Sequence, residues 1–581
     1  MKSLWKHVEA ALLLGVIGVL PIAAEAQVNS YSPVTDARLQ NPEKENWLMY
    51  RGNYAGWGFS PLDKINTGNV AKLTPAWTLG TGVAEGHQSP PMVNNGIMFL
   101  STPQNQVIAL DARNGDVLWS YKKALPDDLL QLHPTNRGVA LYQDKVYLAT
   151  VDAHLVALDA RTGKVIWDQV VGDYKKGYYC TLAPLVTNGK IMVGTSGGEL
   201  AVRGFIAAFD ASSGDMLWRT YTIPEPGQPG SETWSGDDWK TGGGSVWIQG
   251  TYDPQLKLAY WGVGNAAPWA GDFHPGDNLY TSSVIAIDPD NGNIRGYHQY
   301  HWNDSWDWDE VTPPMLIDVQ RDGRTIKGLV HPGRDGYLWL LERSADKISF
   351  VAAKPYVTQN AFKSIDPITG RPEYAAEHTP RKGVLIDFCP SLWGGKDWPP
   401  AAYNPMTKLV YIPSNDNHCG SLKSKADEPM VAGELKLGVE IPDIKMIVDP
   451  NTKTIGKLQA WDMSKGRRVW AQDFVSHSFG PVLTTGGNLV FQGGTNDRYF
   501  RAFDATTGRQ LWQFRTNSGV TAVPISYMVD GVQYVAVQSG WGVDAERMQG
   551  SLIAAGYKGK NYAPDVPIPQ GGVLWVFAVS K

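Results

Sequence analysis

The chain has 581 residues, 43% hydrophobic and 19% charged, a globular balance and not a disordered one. Its 52 Lys and Arg against 57 Asp and Glu leave a net charge of −5, which excludes the basic surface a nucleic-acid binder needs. The 62 Gly and 38 Pro mark many turns, and 23 Trp with 25 Tyr favour strands, so the length reads as one large all-β unit.

Residues 1–26 read as an export signal. Lys2 and Lys6 precede an apolar stretch broken by Gly15, Gly18 and Pro21, and Ala24-Glu25-Ala26 supplies a cleavage site before Gln27. The apolar run is shorter than the ~20 residues that span a bilayer, and no second run of that length follows. The mature chain, 27–581, is therefore expected in the periplasm, without membrane insertion. Export permits a disulfide, for which Cys389 and Cys419 are the expected pair, leaving Cys180 free; the spacing alone does not fix the pairing. No Cys-x-x-Cys-His occurs, so no covalent c-type haem sits on this chain.

Six segments then repeat Ala-x-Asp, turn residues, Gly and usually Trp. They start at Ala109, Ala157, Ala208, Ala286, Ala460 and Ala502, and a degenerate copy starts at Leu340. In the first, a strand ends at Asp111, whose carboxylate can bind turn amides. Gly115 supplies the positive φ of that turn, and the next strand carries Trp119 out to a neighbouring unit. One such sheet cannot bury both faces, so copies must stack. Residues 401–412 supply strands for one unit without a clear copy. The expected fold is an eight-bladed β-propeller with tryptophan-docking repeats over 27–581 and a site in its central funnel.

These repeats resemble those of the quinoprotein alcohol dehydrogenases, propellers that hold pyrroloquinoline quinone (PQQ) and a metal ion. The resemblance spans essentially all of 45–581. Ser196-Gly197-Gly198-Glu199 resembles the segment bearing a metal-binding Glu. Asn265, in Gly-Asn-Ala-Ala-Pro-Trp269, resembles the residue lending a carbonyl oxygen. Trp306-Asp307-Trp308-Asp309 resembles the segment bearing the catalytic Asp. Oxygen ligands of this kind suit a hard, fairly large ion. Ser245 and Trp247 resemble the stretch whose indole lies under the quinone. Thr181, Ser196 and Arg137 resemble contacts to a PQQ carboxylate. Arg334 resembles the donor to the quinone oxygens, and Asn415, with Asn417 competing, a further polar contact. Gln88 stands where several relatives carry Glu.

The sequence departs from the methanol- and ethanol-oxidising members at Gln131-Leu132, where those carry adjacent cysteines; Leu132 or His133 is the expected replacement over the quinone. Leu200 replaces a Phe and implies a roomier pocket beside Trp269. The resemblance therefore implies oxidation of an alcohol larger than methanol: secondary, cyclic or sugar-like, with sorbose-type sugars and trichothecenes such as deoxynivalenol both fitting. Asp307 is the implied general base, Arg334 the partner of developing charge, and a soluble cytochrome c the electron acceptor. In an extended segment Asp307 and Asp309 share a side. With Glu199 they give three negative charges, which favours a lanthanide(III) over Ca²⁺. Oligomeric state is left open, a homodimer included. The competing readings are a non-catalytic periplasmic scaffold of the outer-membrane assembly type, which needs no acidic cluster, and a hydrolase using Glu199 and Asp307.

Overall fold

The computed structural model describes residues 28, 30–425, 429–564 and 567–580. The expected export signal lies outside the described residues. No helix among the described residues is long and apolar enough to cross a membrane.

The chain is all-β. Eight antiparallel sheets of four strands follow one another, one of them extended by a fifth, parallel strand. In chain order they span 92–122, 140–170, 185–221, 251–299, 315–355, 402–474, 483–515 and 525–579. The strands expected for a unit without a clear repeat, Ala402–Asn404 and Leu409–Asn415, instead share the sixth sheet with the Ala460 repeat, and the sheet that carries no copy is the eighth. Strand Leu73–Gly80, near the start of the described chain, pairs antiparallel with Val573–Val579 near its end. The eighth sheet is thus assembled from both ends of the sequence.

Burial explains the order within a sheet. In the first, Met92–Asn94 and Ile97–Thr102 are buried throughout, whereas Val117–Lys122 alternates exposed residues around buried Trp119. The first three strands are covered on both faces, and the fourth forms the outer rim. Each repeat turn closes as its residue types dictate: Asp159 accepts from the backbone amides of Arg161 and Thr162, and Gly163 takes φ 70°.

The tryptophans join neighbouring sheets. Trp119 donates its indole N–H to the Ala160 carbonyl at 3.0 Å, and its ring occupies the space a Cβ on Gly163 would enter. Trp218 does the same to Pro289 and Gly292, and Trp470 to Ala505 and Gly508. Trp512 donates to the Leu73 carbonyl, and Trp77, on that same strand, covers Gly115 of the first sheet. The contacts therefore return to their start. The degenerate repeat breaks this pattern: its Phe350 covers Gly370, in a hairpin (Phe362–Ile365, Pro372–Tyr374) inserted after the fifth sheet.

Cys389 and Cys419 form the disulfide, and Cys180 is free and buried.

Candidate active site

The segments that lead into successive sheets converge on one cavity of about 510 Å³. Leu132 and His133 precede the second sheet, Tyr179 and Thr181 the third, Ser245 and Trp247 the fourth, Asp307 and Asp309 the fifth, and Trp393 and Asp397 the sixth. Ser196, Gly197, Glu199, Asn265, Trp269 and Arg334 also line it.

The acidic segment is shaped by its tryptophans. Trp306 and Trp308 are fully buried and stack at 4.8 Å between centroids, and their indoles donate to the carbonyls of His378 and Ser391. Alternation then leaves Asp307 and Asp309 facing the cavity. The backbone is not extended as expected, however: Asp307 sits at φ 66°, the left-handed region, and Asp304 holds it there by accepting the Asp307 amide at 3.0 Å. Nor is the segment a solvated loop, because Asp304 and Glu310 are wholly buried. Glu310 accepts from His331 Nε2 at 2.5 Å and from the amides of Arg334 and Asp335, both at 3.1 Å. His301 lies between, 3.5 Å from both Asp304 and Glu310. The loops bearing Asp307 and Arg334 are thus fastened to one buried acid–histidine chain.

Asp309 fastens the cavity wall. Its Oδ2 accepts from the Trp247 indole at 3.0 Å, and its Oδ1 accepts from the Asn265 amide at 2.8 Å. Arg334 stands 3.4 Å from Asp307, 3.7 Å from Asp309 and 3.4 Å from Asp397. Burial pushes the Asp307 carboxyl well above the usual range; Arg334 opposes this, while Asp309 and Glu199 add to it. Burial likewise pushes Asp309 up to about 7, with Arg334 again opposing and Glu199 adding. Burial favours loss of the Arg334 proton, but Asp397, Asp307 and Asp309 outweigh it, so the guanidinium holds its proton more firmly than usual.

Several expected contacts stand behind this wall. Arg137 is buried with its guanidinium 4.7 Å from the Trp247 ring and 4.8 Å from that of Trp398, and donates to Thr181 Oγ1 at 2.5 Å. It backs the expected floor and is absent from the lining. Gln88 and Asn415 are buried outside the lining too, and Asn415 Oδ1 accepts the Ser478 amide. Asn417 donates to the Thr454 carbonyl instead. Gly198 backs Ser245, whose Oγ would stand 3.1 Å from a Cβ there. Leu200, expected in the pocket, is 1% exposed and does not line it, because the turn Gly198–Leu200 directs it onto Gly177. Leu132 and His133 do line the cavity where the cysteine pair was missing, His133 bonding the Tyr179 hydroxyl at 3.1 Å.

One further wall is built from the long insertion 420–457, which the sequence marks as carrying pocket residues without placing them, and from a helix that was missed from the sequence. The helix Asp544–Leu552 and the stretch 435–444 both line the cavity, the first through Asp544, Arg547, Gly550 and Ser551, the second through Leu435, Leu437, Ile441 and Ile444. The available signal was the spacing of 544, 547 and 551 in a chain otherwise patterned for strands.

Fold and cavity together define an all-β enzyme-type scaffold whose central site combines flat indoles, hydroxyls, an arginine and a carboxylate cluster. The chain matches the family described as "PQQ: Glucose/ethanol/alcohol dehydrogenase, beta-propeller domain" over residues 47–349 and 473–535. It is 37% identical to the quinoprotein alcohol dehydrogenase PedH of Pseudomonas putida, covering 94% of this chain and 93% of that one. It is 32% identical to a quinoprotein ethanol dehydrogenase of Pseudomonas putida over 100% and 97%. Among solved structures, a europium-containing methanol dehydrogenase superposes with TM-score 0.87 at 33% identity, covering 94% of this chain and 99% of that one. The chain belongs to the PQQ-dependent alcohol dehydrogenase family, with that family's β-propeller fold.

Proposed function

We propose that the protein is a periplasmic dehydrogenase that oxidises alcohols larger than methanol with PQQ and one metal ion, passing electrons to a cytochrome c. The observation that carries this reading is the meeting of Asp307, Asp309, Glu199, Asn265, Arg334 and Trp247 in one cavity. The eight sheets are read as eight blades of one ring, docked by the tryptophans.

The residues suit the cofactor. Trp247 offers a flat face, Thr181 and Ser196 offer hydroxyls, and Ser245 Oγ is a buried atom without a partner among the described residues. PQQ, when bound, supplies a two-electron acceptor that no side chain provides. The residues also suit a hard cation, in a particular way. Among the described residues no three His, Cys, Asp or Glu side chains form a ready-made metal cluster. The carboxylates instead stand around the wall and repel one another, which an ion among them would relieve. Glu199, Asp307, Asp309 and the Asn265 side-chain carbonyl would hold it. Three carboxylates match a trivalent charge, so a lanthanide is favoured over Ca²⁺.

Asp307 takes the hydroxyl proton of the alcohol as general base. It is useful only as the carboxylate, a form that Arg334 at 3.4 Å supports and a neighbouring cation would support further. Arg334, kept cationic by three carboxylates, orients Asp307 and stabilises negative charge that grows beside it. Leu132, Leu392 and Trp393 exclude water. The apolar outer wall favours alcohols with a hydrocarbon body over sugar-like polyols, whose hydroxyls would lose hydrogen bonds there.

The test is reconstitution of apo-protein with PQQ and a lanthanide or Ca²⁺, with dye reduction measured on methanol, n-hexanol, benzyl alcohol and sorbitol. The reading expects n-hexanol or benzyl alcohol to have the highest kcat/KM. Methanol or sorbitol as best substrate would contradict it, and no turnover with any alcohol would favour the scaffold reading.

A further inference from the structure

The outer part of the cavity has a form that simple alcohol oxidation does not require. The helix Asp544–Leu552 turns one face toward it, with Arg547, Gly550 and Ser551 in line, and Ala554 continues the row. These residues after Arg547 are small. A Cβ built on Gly550 meets nothing within 4 Å, so open space adjoins the helix at that point. The stretch 435–444 adds an aliphatic lining. Leu435 and Ile441 are 45% and 68% exposed at the lip, with Leu437 and Ile444 further in. The result is a slot lined by both hydrocarbon and small residues.

Arg547 is the one guanidinium on this slot, and it lacks a counter-ion. Its guanidinium donates to the Leu132 carbonyl, and among the described residues no carboxylate lies within ion-pair reach. Of the five carboxylates that line the cavity, four lie against other groups, and Glu199 has no cation within ion-pair reach among the described residues. Asp544 stands 3.4 Å from His133 and 3.8 Å from Arg137, and Asp307, Asp309 and Asp397 gather around Arg334. Burial holds His133 well below its usual pKa, so that imidazole is neutral and Asp544 remains matched by Arg137.

We infer that this slot is a substrate subsite for the carboxylate tail of an ω-hydroxy carboxylic acid, with Arg547 as the counter-ion and the aliphatic wall packing the methylene chain. The inference rests on the proposed alcohol oxidation, which takes place in the same cavity. An arginine fork suits a carboxylate in geometry and charge. A neutral hydrocarbon tail would leave the guanidinium unpaired, whereas an anionic tail satisfies both walls at once.

The test uses holo-protein reconstituted with PQQ and metal, as wild type, Arg547→Gln, Arg547→Lys and Gly550→Leu. It compares kcat/KM for ω-hydroxyhexanoate with that for n-hexanol, and extends to longer and shorter ω-hydroxy acids. Arg547→Gln should lower the hydroxy-acid to alkanol ratio about tenfold, the size of one charge-assisted hydrogen bond, and Arg547→Lys should retain part of it. Gly550→Leu, which fills the open space, should shorten the longest chain accepted. An unchanged ratio in Arg547→Gln overturns the inference. So does weaker PQQ binding by that variant's apo-protein, read by tryptophan quenching, because the guanidinium would then belong to the cofactor. Calorimetric titration with hexanoate reads the subsite without turnover. Binding about tenfold weaker in Arg547→Gln supports the subsite and equal binding overturns it, whether or not either alcohol is oxidised. Absence of oxidation with both alcohols in wild type speaks against the proposed function instead.

Discussion

Replacing Asp309 separates two roles that one carboxylate holds together. In Asp309→Ala the Trp247 indole and the Asn265 amide each lose their acceptor, now at 3.0 and 2.8 Å, in the half-buried wall of the cavity. An unsatisfied buried donor costs about 1–3 kcal/mol. Relief of the repulsion toward Asp307 and loss of the attraction to Arg334 at 3.7 Å act in opposite directions, so the net loss should be about 2 kcal/mol. Unfolding entropy grows with chain length, and for a chain of this size such a loss lowers Tm by roughly 2 °C, measurable by calorimetry on apo-protein. Asp309→Asn keeps a carbonyl oxygen for one of the two donors and should lose less. Charge behaves differently, because both variants remove it. A trivalent ion then loses one more unit-charge interaction than a divalent ion does. At about 4 Å, with an effective dielectric constant between about 80 and about 20, that is about 1–4 kcal/mol, or roughly fivefold to a thousandfold in relative affinity. The assay is titration of each apo-protein plus PQQ with La³⁺ and with Ca²⁺, following dye reduction. Both variants should lose the lanthanide advantage, with only Asp309→Ala showing the full drop in Tm. A lanthanide preference that survives in Asp309→Asn, or a wild type activated fully by Ca²⁺ and not by La³⁺, would refute the reasoning.

Asp307→Ala should abolish alcohol-dependent dye reduction while PQQ still quenches tryptophan fluorescence; turnover like wild type would remove Asp307 from the mechanism. His301→Ala should lower kcat more than tenfold with little change in KM, since His301 joins the buried carboxylates that hold the Asp307 and Arg334 loops, and His301→Gln should restore part of the rate. Gly163→Ala should destabilise by about 2 kcal/mol or more, because a Cβ there would stand 2.5 Å from the Trp119 ring at φ 70°; an unchanged denaturation midpoint would show that the docking contact yields freely. Burial lowers His87 and His418 to about 4, and His298 and His477 to about 3. Each therefore binds its proton more readily unfolded than folded. Stability should be full above about pH 6.5 and fall as pH drops from there toward 4, by about 2 kcal/mol per histidine at pH 4.5. A Tm that stays flat between pH 7 and pH 4.5 would contradict this.

The repeat was legible in the sequence because Asp, Gly and Trp each perform a local task that few residues can replace. Asp159 binds its own turn, Gly163 takes φ 70°, and Trp119 covers that glycine. The eighth sheet was hard to read because strand Leu73–Gly80 and strand Val573–Val579 lie at opposite ends of the chain. The site residues were legible where two neighbours share a motif, as in Trp306-Asp307-Trp308-Asp309, although the expected reason failed. Stacked tryptophans, and not an extended backbone, turn the two carboxylates inward. Leu200 was misplaced because its direction depends on a three-residue turn that sequence spacing does not reveal. The helix carrying Arg547 was missed, and Leu437 in the insertion 420–457 could not be placed, because the meeting of these two insertions is purely tertiary.

A single-turnover titration tests the account most directly. Apo-protein is given one equivalent of PQQ and an excess of La³⁺ without oxygen or dye, then n-hexanol, while the quinone absorbance is followed. The account predicts that about one PQQ binds per chain, that one equivalent of alcohol reduces it, and that Asp307→Ala binds PQQ but leaves it oxidised. PQQ that fails to bind, or that binds and stays oxidised in wild type whichever metal and alcohol are supplied, would contradict it.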